Sequence, residues 1–448
     1  RPPRSTPLYS SAASDVYKRQ GVHGLSTAWN LCKKLKKKNQ LKDNSVVVLE
    51  KTKVASGAGS ISCGIARNNY FQPSMRELMA HSINVWNENA KQLTFHKVGY
   101  MQINSQLMVD HMSQVYEQQK NIGFDSTFVT GSKDCDKYMK NLFDDWQAQG
   151  IESVLHEKNS GYGHNRGAIL GLAELAKKEG VKILEGIEVL EINNGSGTKA
   201  AQNVKTTKGV FEFENLIVAV GPWVEKFWKL MGYDDYINVN GSKQRMWSYN
   251  MLEEGELEYD PKLHTTNDHK ESPIVHVDTE ATLISKHTGN AIHENEIWGI
   301  YYKPDVYRNC IQGGSSPRQI KTEPHKIELE PYGHDSKKYK TSSEFYDKWT
   351  SALAFCQKRF EGKHKNYRKR SNGGVGCLTP DKFPVFDVFN ENIYLVADSN
   401  HGWKMVGVGE LVADELLGKK SSILEPFRFN RYEQGKLHPR SKSPFPWS

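Results

Sequence analysis

The sequence predicts an α/β protein whose central parallel sheet is assembled from strands far apart in the chain, with other segments inserted between them. Two observations carry this. A glycine-opened amphipathic helix beginning at Gly21 leads into the apolar run Val46–Leu49, which ends in Glu50. Two further runs of buried parallel-strand type, residues 216–220 and Ile393–Ala397, lie some 170 and 350 residues later, and each continues into a turn.

The first helix shows Leu25, Ala28, Leu31 and Leu35 at helical spacing. Gly21 and Gly24 fill the second and third places of a G-x-G-x-x-G turn. There the second glycine lets backbone approach a pyrophosphate and the third lets the helix pack on the sheet. Glu50, at the end of the next strand, stands where an acid accepts adenosine ribose hydroxyls. Arg19 sits where the first glycine belongs, and no strand pattern precedes it. Residues 1–20 therefore read as a foreign leader in place of the true N-terminus. Further on, residues 167–179 read as a helix closed by Gly180, with strands expected at 181–184 and 189–192. The strand at 216–220 runs into Gly221-Pro222-Trp223. The one ending at Ala397 runs into a glycine-rich turn and a helix over 410–417. Such turns bring backbone amides to the carboxyl edge of a sheet, where ligands bind.

Composition narrows the function classes. With 37% hydrophobic and 25% charged residues, the chain of 448 can bury a large core and is not disordered. It has no run of about 18 apolar residues, so no membrane insertion is expected. The net charge of +8 is local: Arg1, Arg4, Lys18 and Arg19 against Asp15 give +3, and Lys33, Lys34, Lys36, Lys37 and Lys38 give five more. No basic face for nucleic acid follows. Six scattered cysteines without CxxC spacing suggest neither a disulfide framework nor a metal site, and fit a reducing, cytoplasmic compartment.

Taken in order, GVHGLSTA with VVVLE, SGAGSISCGIAR, NLIVAVGPW, YYKP, CLTPDKFPVFD and NIYLVADSNHGWKMVGVGELVADELL resemble the D-amino-acid oxidase/sarcosine oxidase superfamily (the DAO family). The likeness runs from about Gly21 to Gly418 and is strongest to sarcosine oxidase-like enzymes acting on N-methyl amino acids. It implies a Rossmann-like FAD-binding domain interleaved with an antiparallel-sheet substrate domain. The expected FAD parts are residues 21–90, 161–240 and 366–425, the substrate parts 91–160 and 241–365, and 426–448 is a tail. It implies FAD contacts from Gly21, Gly24, Glu50 and Lys51, from Ser60 and Ile61 in the loop 56–63, from Val189, from Gly221 and Trp223, and from Gly402, Trp403 and Met405. Arg67 and Lys404 match the pair that holds the substrate carboxylate, a guanidinium fork and a point charge. His401 lies beside the flavin.

Departures from the pattern matter. The position of the covalent flavin cysteine holds Gly374, Cys377 lies nearer the TPD segment, and residues 60–64 contain no histidine, so non-covalent FAD is expected. No lysine appears in residues 309–314, where oxidases of the superfamily place one to speed reaction with oxygen. Lys303 occupies a place where relatives often carry arginine, and a structural role suits it. His81, His96 and His276 have no motif around them and read as solvated or core histidines. Two polar insertions, 253–296 and 315–342, fall in the substrate half. A capping box Thr341-x-x-Glu344 is expected to open a helix burying Phe345, Trp349, Leu353 and Phe360. The helix at 73–90 buries Met75, Met79, Ile83 and Trp86.

These residues point to an FAD oxidoreductase acting on the C–N bond of a small amino-carboxylate, with oxygen or an electron carrier as acceptor. A non-catalytic flavin-binding assembly protein and a flavin dehydrogenase for another substrate stay open, as does oligomeric state.

Overall fold

The computed structural model describes residues 15–18, 21–41, 46–194, 200–317, 326–329, 340–368, 374–445 and 448. Most of the insertion at 315–342 lies outside them. Two sheets organise the chain. The first has six strands in the order Val385–Phe389, Ile393–Ala397, Leu216–Val218, Asp15–Lys18, Val46–Leu49 and Lys182–Leu184. All neighbours are parallel except the first pair. Val46 to Leu49 are all buried, as a strand covered on both faces must be.

One expectation, that no strand precedes the glycine turn, is corrected here. Asp15–Lys18, inside the segment read as foreign, occupies the strand immediately before the glycine turn, paired with Val46–Leu49 and Leu216–Val218. Asp15 and Lys18 depart from the continuous apolar run usual in a buried parallel strand, so sequence pattern did not reveal it.

The helix Val22–Lys37 packs between the helices Asn165–Glu179 and Val408–Leu416. Gly409 makes the second contact possible: a Cβ there would stand 2.4 Å from backbone atoms of Ser26 and Thr27. Ser26 Oγ donates to the carbonyl of Val406 at 2.6 Å, tying the first helix to the last loop. The helix Asn165–Glu179 ends on Gly180 at φ +106°, the left-handed closure its sequence predicts, and starts two residues early because His164 caps it by accepting from the Gly167 amide.

The second sheet has seven strands: Gly255–Leu257, Cys310–Ser316, Trp298–Asp305, Ile274–Thr279, Tyr100–Asn104, Ser153–Glu157 and Ser126–Thr130. Its pairs are antiparallel except Ile274–Thr279 with Tyr100–Asn104, where its two sequence-distant halves meet. The helix Ser343–Cys356 packs Phe345, Trp349 and Leu353 against it. Its cap is Ser342, whose hydroxyl accepts from the Phe345 amide, and not Thr341. The expected capping box is therefore out of register by one residue. The helix Pro73–Glu88 buries Met75, Met79, Ile83 and Trp86.

Candidate active site: a cleft between the two sheets

A cleft with about 1730 Å³ of empty space, its open mouth included, runs from the N-terminus of the first helix to the face of the seven-stranded sheet. Gly21, His23, Glu50, Lys51 and Asp398 line it near the first helix and the strand that follows; Ile61, Cys63, Gly221 and Trp223 line it as well; and at the far end, toward the seven-stranded sheet, it is lined by Tyr100, His276 and Tyr301 of that sheet together with Arg67, His401 and Lys404. Glu50 continues its strand by donating its amide to the Leu184 carbonyl, and its carboxylate accepts from the Thr52 amide at 2.8 Å. A Cβ on Gly21 would meet no atom of the described residues within 4 Å, so the backbone there is open to close approach by a ligand. Asn165 shapes the loop 56–63 by donating to the Gly59 carbonyl at 2.9 Å and to Ser62 Oγ at 2.6 Å.

Of the residues singled out in the sequence, Gly21, Glu50, Lys51, Ile61, Arg67, Gly221, Trp223, His401, Gly402, Trp403 and Lys404 line this cleft. Gly24, Ser60 and Met405 do not. Gly24 is buried in the first helix, Ser60 Oγ turns back to the Gly57 carbonyl, and Met405 is fully buried. Val189 lines a smaller depression that shares Lys51, whose ammonium is 3.3 Å from Glu188.

The far end buries two basic side chains, Arg67 and Lys404. Arg67 is 3% exposed, with its guanidinium 4.3 Å over the Tyr70 ring and 5.6 Å from the Tyr100 ring. Burial opposes its charge, but Tyr70, Tyr100, Glu157 and Asp278 hold its pKa above the ordinary value. Lys404 donates to the Tyr70 hydroxyl at 2.8 Å, and Tyr70 lies 3.3 Å from His401 Nδ1. Burial first and the Arg67 charge second push Lys404 well below its usual range. Burial also keeps His401 and His276 neutral. Trp403 stacks on Trp86 with centroids 4.4 Å apart, and Trp86 Nε1 donates to the Lys404 carbonyl, fixing that loop.

Several cleft residues had no motif to announce them. His276, expected to be a solvated or core histidine, is buried and also faces the cleft, between Tyr100 and Asp278, whose Oδ1 is 3.2 Å from its Nε2. The signal was its alternation with Asp278 inside an apolar strand. Tyr301 comes from the adjoining strand; Tyr70, from the loop after Arg67, does not line the cleft but contacts Arg67, His401 and Lys404, which do. His23 and Asp398 face each other at 3.9 Å near the first helix; burial pulls His23 down to about 4 and raises Asp398 to about 6. Lys303 is fully buried, 3.0 Å from Asp305, and opposite Gln312 in the sheet. Cys63 and Cys377 line the cleft, but burial pushes both thiols far up, so neither is a ready thiolate. Among the described residues no cluster of His, Cys, Asp and Glu could hold a metal ion, and no helix is long and apolar enough to cross a membrane.

A glycine-opened helix, a ribose-type acid at the next strand end and a long cleft reaching a second sheet define a dinucleotide-binding protein. The chain belongs to the FAD dependent oxidoreductase (DAO) family, whose model matches residues 20–415. It is 27% identical over 230 residues to a protein named probable oxidoreductase OrdL from Haemophilus influenzae, covering 46% of this chain and 48% of that one. The match thus spans about half the length of that relative. Its fold is similar to L-proline dehydrogenase from P. horikoshii (TM-score 0.73, 19% identity, 95% of this chain and 99% of that one). It is also similar to glycine oxidase from Geobacillus kaustophilus (TM-score 0.65, 17% identity, 93% and 98%).

FAD fits the cleft. Both ring nitrogens of His23, Nη1 of Arg67 and Nε1 of Trp403 are buried without a hydrogen-bond partner among the described residues, and all three side chains face the cleft. Polar atoms in that condition cost free energy unless a ligand meets them.

Proposed function

We propose that this protein oxidises the C–N bond of a small amino-carboxylate, an N-methyl, cyclic or D-amino acid, and that the product imine hydrolyses in water. The observation that carries this reading is the pairing of Arg67 and Lys404 in one buried end of the cleft, both beside the Tyr70 ring. Two mutually repelling cationic groups, one with an unmet N–H and one driven toward neutrality, are stabilised by an anion between them. A carboxylate suits a guanidinium fork plus one ammonium.

Gly21, Glu50, Lys51 and the loop 56–63 would hold the dinucleotide, with Trp403 and His401 at its flavin end. Bound FAD supplies a two-electron oxidant for the carbon beside the substrate nitrogen. The chain does the rest by positioning. Arg67 and Lys404 fix the carboxylate and with it the orientation of the neighbouring C–N bond. Neutral His276 and His401 add no competing positive charge, and burial favours the substrate's free amine over its ammonium. The seven-stranded sheet excludes water from this end. The cofactor-loaded protein should therefore bleach anaerobically on mixing with sarcosine, dimethylglycine, proline or a D-amino acid. Failure of the whole panel to reduce a bound flavin favours the flavin-binding assembly role.

A further inference from the structure

We propose that Phe445, carried by a C-terminal segment outside the matched family region, closes the substrate end of the cleft and sets the size of the group it accepts. This deepens the reading of that end as a substrate chamber. The segment is built into the site. Arg431 pairs with Asp381 at 2.8 Å, both buried, and holds the start of the segment against the TPD loop. Gln72 then donates to the Pro439 carbonyl at 2.6 Å, Ser443 Oγ to Asp278 at 2.9 Å, and Ser316 Oγ to the Pro444 carbonyl at 2.8 Å. These bonds come from three separate parts of the chain and fix the segment's path across the seven-stranded sheet.

Phe445 is 1% exposed. Its ring lies 4.7 Å from that of His276, edge to face, and 5.5 Å from that of Tyr301, and it shares an apolar cluster with Cys63, Ile65 and Leu252. All five of those neighbours line the cleft. The sheet leaves room for the ring only because residue 299 is glycine: a Cβ there would come within 2.6 Å of it. The phenyl group thus fills the space into which His276 and Tyr301 would otherwise retreat. Serine 448 of the same segment accepts from Arg67 at 3.4 Å, so the segment also borders the carboxylate clamp. Phe445 acts through its neighbours, as a positioning residue that limits chamber depth.

The test uses FAD-loaded full chain, with Phe445→Ala and the milder Phe445→Leu. Flavin absorbance is titrated with acetate, propionate and benzoate, and anaerobic bleaching is followed with glycine and phenylalanine. The ratio of benzoate to acetate Kd should fall by about tenfold in Phe445→Ala, the scale of one or two methylenes in an apolar pocket, and by less in Phe445→Leu. Acetate affinity should stay near that of the unsubstituted protein, and bleaching should shift toward the larger amino acid. An unchanged ratio, or equal weakening of all carboxylates, overturns the proposal. Should Phe445→Ala not fold, Phe445→Leu alone decides by the same ratio. If no amino acid bleaches the unsubstituted protein, the functional reading fails while the carboxylate series still judges Phe445. A flavin that responds to none of the carboxylates removes the chamber and this inference together.

Discussion

Replacing Arg67 with Met keeps the length and apolar contact of the side chain over Tyr70 while deleting the fork. A charge-assisted hydrogen bond to a carboxylate contributes about 1.5–3 kcal/mol, so substrate Kd should rise by about 10- to 150-fold. The rise should fall toward the lower end, because the Arg67 charge is one of the causes that depress Lys404. Without it, Lys404 keeps its proton more readily and takes over part of the anion binding. Lys404→Met should accordingly cost more in the Arg67→Met background than in the unsubstituted protein. Stopped-flow anaerobic flavin reduction separates Kd from the limiting reduction rate. The clamp predicts a change mainly in Kd. A fall in limiting rate at unchanged Kd, or no change in either, refutes the reasoning.

Three further outcomes follow. Lys404 is driven toward neutrality when no anion is bound and regains its proton beside a carboxylate, so binding takes up a proton. Acetate affinity should weaken as pH rises above the lowered pKa of anion-free Lys404, by up to about tenfold per pH unit, and Lys404→Met should flatten that profile; pH-independent titrations would contradict it. In cofactor-free protein, buried Asp398 has its pKa raised from 3.8 to about 6, so it favours the fold at low pH and costs stability as pH rises through 6. Asp398→Asn should match the unsubstituted protein below about pH 4 and exceed it by up to about 3 kcal/mol above pH 6, read from denaturant midpoints. Neighbouring His23, lowered to about 4, has the opposite slope and should dominate that window once Asp398 is gone. Gly409→Val should lose at least about 1–3 kcal/mol of stability, because the new atoms meet helix backbone that cannot yield; an unchanged thermal midpoint would show that the two helices separate easily.

The parallel sheet and its helix turns were legible because their signals are local: an apolar run four or five residues long, a glycine at a turn, a helical repeat. Arg67 and Lys404 were legible only through the motifs GIAR and HGWK, since nothing in their spacing brings residues 337 apart together. Tyr100, His276 and Tyr301 were not assigned to the site because each lies within a buried strand with no catalytic motif around it, and only the pairing of three strands aligns them. The cap at Ser342 was misplaced by one residue because adjacent Thr341 and Ser342 are equally good caps in sequence, and tertiary contacts choose between them. The C-terminal segment read as a tail since it has no periodicity. Its path is fixed by side chains elsewhere that donate to its backbone carbonyls.

The most direct measurement is the absorbance spectrum of protein purified with added FAD, recorded before and after anaerobic addition of the amino acid panel. A yellow protein with flavin bands that bleach with at least one small amino-carboxylate, and do so far more weakly in Arg67→Met at the same concentration, is the result the account predicts. A protein that stays colourless when supplied with FAD, or whose bound flavin is reduced equally well with and without the Arg67 guanidinium, contradicts it.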